Sequence, residues 1–355
     1  MPHSELNLNS TKKRKRLWLA AAPLAFAAVL LVSLSVGRYT VPLWDTILIL
    51  TDRLISLITG GTRGLADAFS EQSAVVITQI RFPRVLAAAV IGCGLSVSGT
   101  VYQSMFKNPM VSPDILGASA GAGFGAALGI LLRFGSVGIT ATAFLAGLLA
   151  VGMGIFAARR FKGDVTLGLV LAGLMAGSLF QAGTSFIKLV ADPADQLPAI
   201  TYWLMGSLAS IRISDLWVLL PIVVLSAAPI FLMSWRLNVL TLEDGEARAL
   251  GLNTGLLRMV LVVCATLITA ACVAVSGMIG WVGLFVPHMA RRAVGNDLRL
   301  LLPVAALMGG AFLMAADDLA RTVLASEIPI GILTAFVGAP FFLFLIMGGG
   351  ADHKR

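Results

Sequence analysis

Few residues in this chain combine at a spacing that could make or break bonds. Gly117-x-Ser119-x-Gly121 has the outline of a nucleophile elbow, which would present the Ser119 hydroxyl on a tight turn. Such a serine needs a base within the same membrane segment, and His288 is the one candidate. An intramembrane protease built on Ser119 is therefore the enzymatic alternative. Gly121-x-Gly123-x-x-Ala126 has the glycine spacing of a dinucleotide fingerprint, yet no strand precedes it and no acidic residue follows about 20 positions later. Small residues that let helices approach closely in lipid explain both runs more simply. His288 has no second histidine or thiolate close by, so capping or loop packing is expected rather than a metal site. Cys93, Cys264 and Cys272 lie in apolar stretches without a CxxC pair, which supports neither a disulfide framework nor a thiolate metal site. They are expected to be packing residues. No residue is assigned a catalytic or metal-binding role.

The chain has no visible means of harnessing energy. No Asp, Glu, Lys or Arg falls in the middle of a predicted span, although ion-coupled transporters rely on such residues. A G-x-x-x-x-G-K-[ST] loop is missing too, so ATP phosphates cannot be cradled by that route. ATP and Mg are expected on a partner ATPase, with no cofactor on this chain. An ion-coupled secondary transporter is the competing transport reading.

These residues sit in a sequence built for lipid. Of 355 residues 58% are hydrophobic and 12% charged, whereas soluble domains carry about 25% charged residues. The expected fold is an all-α polytopic membrane protein, since an open strand edge cannot satisfy its backbone in lipid. Ten apolar stretches fall at about 17–36, 84–106, 114–132, 137–158, 165–188, 214–235, 257–279, 280–292, 300–317 and 329–348. The eighth is short and contains Pro287. Between the first two stretches, Leu43, Ile47, Leu50, Leu54 and Leu57 have helical spacing, which suits a segment lying on the membrane surface.

Charge sets the expected orientation. The net charge of +8 includes the run Lys12-Lys13-Arg14-Lys15-Arg16, the usual cytoplasmic flank of a first span rather than a nucleic-acid patch. A cleaved signal peptide is the rival, but Leu17–Val36 is long and ends without a clear small-x-small site. With both termini cytoplasmic, 17 Lys and Arg fall inside and 9 outside. The layout is a basic tail over 1–16, one membrane domain over 17–350 and a short tail over 351–355. Val97-Ser98-Gly99 precedes Pro109 by the same interval that separates Val275-Ser276-Gly277 from Pro287, which suggests inverted repeats.

The longest inside connection, 237–255, is where a partner should dock. Glu243, Asp244, Gly245 and Glu246 open a short helical pattern that runs through Arg248 and Leu250, and Gly251 can close it. An ordinary amphipathic loop is the other reading of that spacing.

Four blocks in order resemble the FecCD-type permease family of ABC importers, over roughly residues 80–348. They are Arg81-Phe82-Pro83-Arg84 through Asn108-Pro109-Met110 to Pro113-Asp114-Ile115-Leu116-Gly117; Leu242 to Gly251; Gly280-Trp281-Val282-Gly283 through Pro287-His288 to Arg291-Arg292; and Asp317-Asp318-Leu319-Ala320-Arg321 through Glu327-Ile328-Pro329 to Gly338-Ala339-Pro340-Phe341-Phe342. In the second block, Leu242-Glu243-Asp244-Gly245 exchanges the glycine and acids of the family's usual Leu-Gly-Asp-Glu. The resemblance implies a dimer of ten-helix permease subunits, identical or related, in the inner membrane of a bacterium or archaeon. It also implies a cytoplasmic ABC ATPase dimer and an extracytoplasmic binding protein, with lipid around the permease. Arg81, Arg84 and Arg321 match outward arginines that meet carboxylates on that binding protein; lipid-headgroup anchoring is their other reading. The fifth and tenth spans would wall the pathway, with Gln181, Thr184 and Ser185 among its few polar side chains. Iron–siderophore import is the leading expectation, with haem, cobalamin or a metal oxyanion such as molybdate as alternatives.

Overall fold

The computed structural model describes residues 2–59, 69–163 and 165–349, within which every regular element is helical. Helix α1 (Pro2–Ser35) contains the basic run and the first apolar stretch, and α2 (Leu43–Thr59) follows. After α3 (Glu71–Val75) the chain passes through a π-helical stretch, Val76–Arg81, straight into α4 (Phe82–Met105). Then come α5 (Ala118–Leu131), α6 (Ser136–Ala158), α7 (Val165–Val190), α8 (Gln196–Leu204), α9 (Ile213–Leu232), α10 (Ser234–Leu240), α11 (Asp244–Ala249), α12 (Thr254–Ser276), α13 (Val282–Val294), α14 (Leu298–Thr322) and α15 (Ile330–Gly349). The tail at 351–355 lies outside the described residues, as do the side chains of Lys12, Lys13, Arg14 and Arg16.

All ten expected apolar stretches are helical, but they do not cross alike. Among the described residues, seven helices are long and apolar enough to span a bilayer alone. Helix α13, the expected eighth span, has 13 residues, and α5 has 14. At about 1.5 Å per residue each reaches only about 20 Å of the ~30 Å hydrocarbon core. Irregular chain supplies the rest. A 3₁₀ turn, Pro113–Leu116, leads into α5 through Gly117, whose φ is +81°. Residues 277–281 lead non-helically into α13.

The helix ends sort into two faces as the alternation required. At one end Lys107 donates to the Leu242 carbonyl, and Asn238 bonds Asp297 at 2.8 Å and the Leu298 amide at 2.9 Å. At the other end Arg38 reaches the Arg321 carbonyl, and Arg84 reaches Asp317 and Glu327.

Helix α4 is the axis of the bundle, buried along nearly its whole length. Small residues permit this. A Cβ at Gly92 would lie 2.2 Å from the Gly309 carbonyl oxygen on α14, and one at Gly99 would lie 1.8 Å from that of Gly283 on α13. The glycine run of α5 does the same against α6, where Gly121 and Gly125 meet the carbonyls of Ala146 and Thr142. Cys93 and Cys272 fill space beside Gly310 and Gly94. The spaced Val-Ser-Gly match does not fall at equivalent places. Val97–Gly99 lie inside α4 and Pro109 beyond it, whereas Ser276 ends α12 and Pro287 lies within α13.

Candidate functional site

At the end carrying Lys107 and Asn238, the 237–255 connection folds into α10, a tight turn and α11. Glu243 caps α11: its side chain receives the Glu246 amide, while Glu246 receives the Glu243 amide at 3.3 Å. This reciprocal arrangement satisfies two amides that a short helix leaves orphaned. Gly251, with φ +79°, reverses the chain after Leu250, the left-handed stop expected from its position. Ala247 is buried against the bundle, whereas Gly245, Glu246, Arg248 and Leu250 are exposed. Leu242 and Leu250 keep 41% and 60% of their surface uncovered, an unusual display on a charged turn. The Asp244 side chain lies outside the described residues.

At the opposite end, Arg81, Arg84 and Arg321 sit together but not as outward cations. They are 4%, 7% and 6% exposed. Arg84 grips Asp317 through Nε at 2.9 Å and Nη2 at 2.8 Å, and reaches Glu327 with Nη1 at 3.0 Å. Arg321 pairs with Asp318 and lies 3.7 Å from Asp317. Arg81, the last residue of the π-helical stretch, donates to the carbonyls of Leu34, Ser35 and Tyr39. The cluster thus ties α1, α4 and α14 together, and the expectation of exposed arginines is corrected to a buried ion-pair network. Fully desolvated guanidiniums hold their place only with such partners. Arg38 is the exposed cation at its edge.

Between these ends a cavity of about 710 Å³ runs along α15, lined by Met205, Met278, Trp281, Ile332, Phe336 and Pro340. Gly338 leaves room for the Trp281 ring to lie on α15. Among the described residues that line this cavity none comes from α7, the helix that carries Gln181, Thr184 and Ser185. Gln181 and Ser185 are exposed on α7, with Ser185 donating to the Gln181 carbonyl at 3.0 Å. Thr184 is buried and donates to the Phe180 carbonyl at 3.0 Å.

The cavity also holds a residue that helix-by-helix inspection missed. Asp114 lines it from the 3₁₀ turn before α5, and Ser119 donates to its carboxylate. In the sequence Asp114 opens the third apolar stretch, 114–132, where an acid reads as the edge of a span. Ser119 therefore has a carboxylate partner rather than a histidine. His288 faces Phe341 and Phe342, each with ring centroids 6.2 Å away, and neither ring nitrogen has a hydrogen-bond partner among the described residues.

A bundle of long apolar helices packed around α4, with a lined cavity beside α15, a capped exposed helix at one end and a buried ion-pair cluster at the other, defines a polytopic membrane protein. Comparison with known proteins gives the family. The model of the FecCD transport family matches residues 25–348, so the chain belongs to that family. It is 36% identical to the molybdate import system permease protein of Haemophilus influenzae, over 89% of this chain and 90% of that one. It is 37% identical to the cobalamin import system permease protein of Halobacterium salinarum, over 93% and 95%. A solved structure described as an inward-facing metal-chelate type ABC transporter superposes with a TM-score of 0.81 at 34% identity, covering 93% of this chain and 98% of that one. The chain is thus a multi-pass permease subunit of a prokaryotic ABC importer, not itself catalytic, with an ATPase and a binding protein as partners.

Proposed function

We propose that the chain carries an iron–siderophore complex, with α11 as the element that receives the stroke of a cytoplasmic ATPase dimer. Both termini then lie in the cytoplasm, ATP and Mg stay on the ATPases, and a second permease copy or related chain completes the pathway. The observation that supports this coupling is the exposed pair Leu242 and Leu250 flanking a reciprocally capped helix. A rigid, partly apolar knob at a membrane-protein end fits a groove on a partner better than it fits water. Replacing Glu243–Gly251 by a Gly/Ser linker should abolish co-purification with the ATPase. Unchanged co-purification would overturn the coupling assignment.

The cavity wall supports a chelate as the substrate class. Thioethers, aromatic rings and one carboxylate suit a bulky chelate with an apolar surface. Haem and cobalamin share that character, whereas Asp114 would repel a small hydrated dianion such as molybdate. In vesicles containing the full transporter, ferric siderophore should compete for uptake and molybdate should not; the reverse order would reject the chelate reading. Docking of the binding protein is proposed around Arg81, Arg84 and Arg321, with exposed Arg38 making the first electrostatic contact.

A further inference from the structure

Beside α11 a second cavity, of about 280 Å³, brings together Arg159 from the end of α6, Arg248 from α11 and Arg258 from α12. That volume corresponds to about nine liquid waters. Its other lining is mostly apolar, including Ile155, Phe161, Leu169, Met259 and Val262. Among the described residues no carboxylate lines it. Arg258 already has contacts within the chain and contributes positive field, while Arg159 and Arg248 are exposed. Next to them, Arg160 lies 5.3 Å over the Phe156 ring. Exposed Arg159 and Arg248 repel each other across the cavity, and an anion placed between them would relieve that repulsion.

The two-toned lining decides which anion. A soluble phosphate would gain nothing from Ile155, Leu169 and Val262, whereas a lipid has both a charged head and an apolar body. The cavity lies where α6, α7 and α12 reach the basic end of the bundle, the end that faces an anionic leaflet in the proposed orientation. Basic pockets between helices at that level are suited to anionic lipid headgroups. We propose that this cavity binds the phosphate headgroup of an anionic phospholipid between Arg159 and Arg248, with its acyl chain against Ile155 and Leu169. Because Arg248 belongs to α11, the bound lipid fastens the coupling helix to α6 and α12; this last consequence rests on the coupling reading, and the lipid site does not.

Native mass spectrometry of the full chain, stripped in detergent and titrated with phosphatidylglycerol, tests the site. Wild type should hold one lipid per chain, and Arg159→Gln with Arg248→Gln should bind roughly 30-fold more weakly, the loss expected for two arginine–headgroup contacts. Arg159→Lys with Arg248→Lys should recover most of the binding, which separates lost charge from lost fold. Added phosphatidylglycerol should raise the melting temperature of wild type but not of the Gln pair. Equal binding by wild type and the Gln pair overturns the proposal. So does equal stabilisation by inorganic phosphate, or equal binding of phosphatidylcholine. Failure of the coupling reading would show separately, in the ATPase co-purification of the linker variant.

Discussion

The two ends of the molecule use charge in opposite ways. At the Arg84 end, buried Arg84 and Asp317 pair across helices 233 positions apart, while buried Arg321 pairs with partly buried Asp318 on its own helix and donates to the Ser33 carbonyl of α1. At the α11 end, Glu243 and Glu246 cap their own helix and remain in solvent. Charge inside the bundle staples three helices into one body. Charge on α11 stiffens a small knob without fastening it. The first arrangement resists relative motion of the helices, and the second leaves α11 open to a partner.

The largest test of this contrast is Arg84→Ala. It leaves the carboxylate of Asp317 buried with one partner fewer, and should cost about 3–5 kcal/mol in detergent unfolding. A smaller loss would mean that water already reaches the cluster. Arg84→Met with Asp317→Leu should recover most of it, since an apolar pair removes both desolvated charges. Reversing the charge of Arg81, Arg84 and Arg321 together would unfold this end, so Arg38→Glu is the cleaner docking test. It should slow association with the binding protein, most at low salt, and leave the melting temperature unchanged.

Next in size is Gly99→Val, which drives a branched side chain into the Gly283 carbonyl and should destabilise by about 1–3 kcal/mol. Glu243→Ala should loosen α11 by about 0.5–2 kcal/mol locally. Its expected signature is impaired coupling of ATP hydrolysis to transport with an unchanged global melt. The smallest effect is expected at Gly245→Ala. A Cβ there meets nothing within 4 Å, so only helix propensity acts, favouring α11 by up to about 1 kcal/mol. If Gly245→Ala cost as much as Gly99→Val, the knob would be packed rather than displayed.

Much of this architecture was legible because its causes are local. Apolar runs gave the helices, and Gly251 with the acids before it gave the ends of α11. The short crossings of α5 and α13 were harder, since a composition window counts Gly280 and Trp281 as apolar whether or not they are helical. The arginines were right in type and wrong in setting. Arg84 and Asp317 are 233 positions apart, and nothing near either residue announces the other. Asp114 was hidden differently. It stands first in the 114–132 stretch, where an acid reads as the edge of a span, yet the fold brings its 3₁₀ turn to the cavity wall.

One feature of the cavity's upper rim bears on how α15 is held. The amides of Ile330 and Gly331, which begin α15, bond to the carbonyls of Gly206 and Met205, and the Ser207 amide bonds to that of Ser276. These bonds join three non-helical bends, so no helical ladder stands ready to replace them. Parting α15 from these bends therefore costs buried backbone hydrogen bonds unless water takes their place, so the start of this helix is held more firmly than its apolar surface alone would hold it.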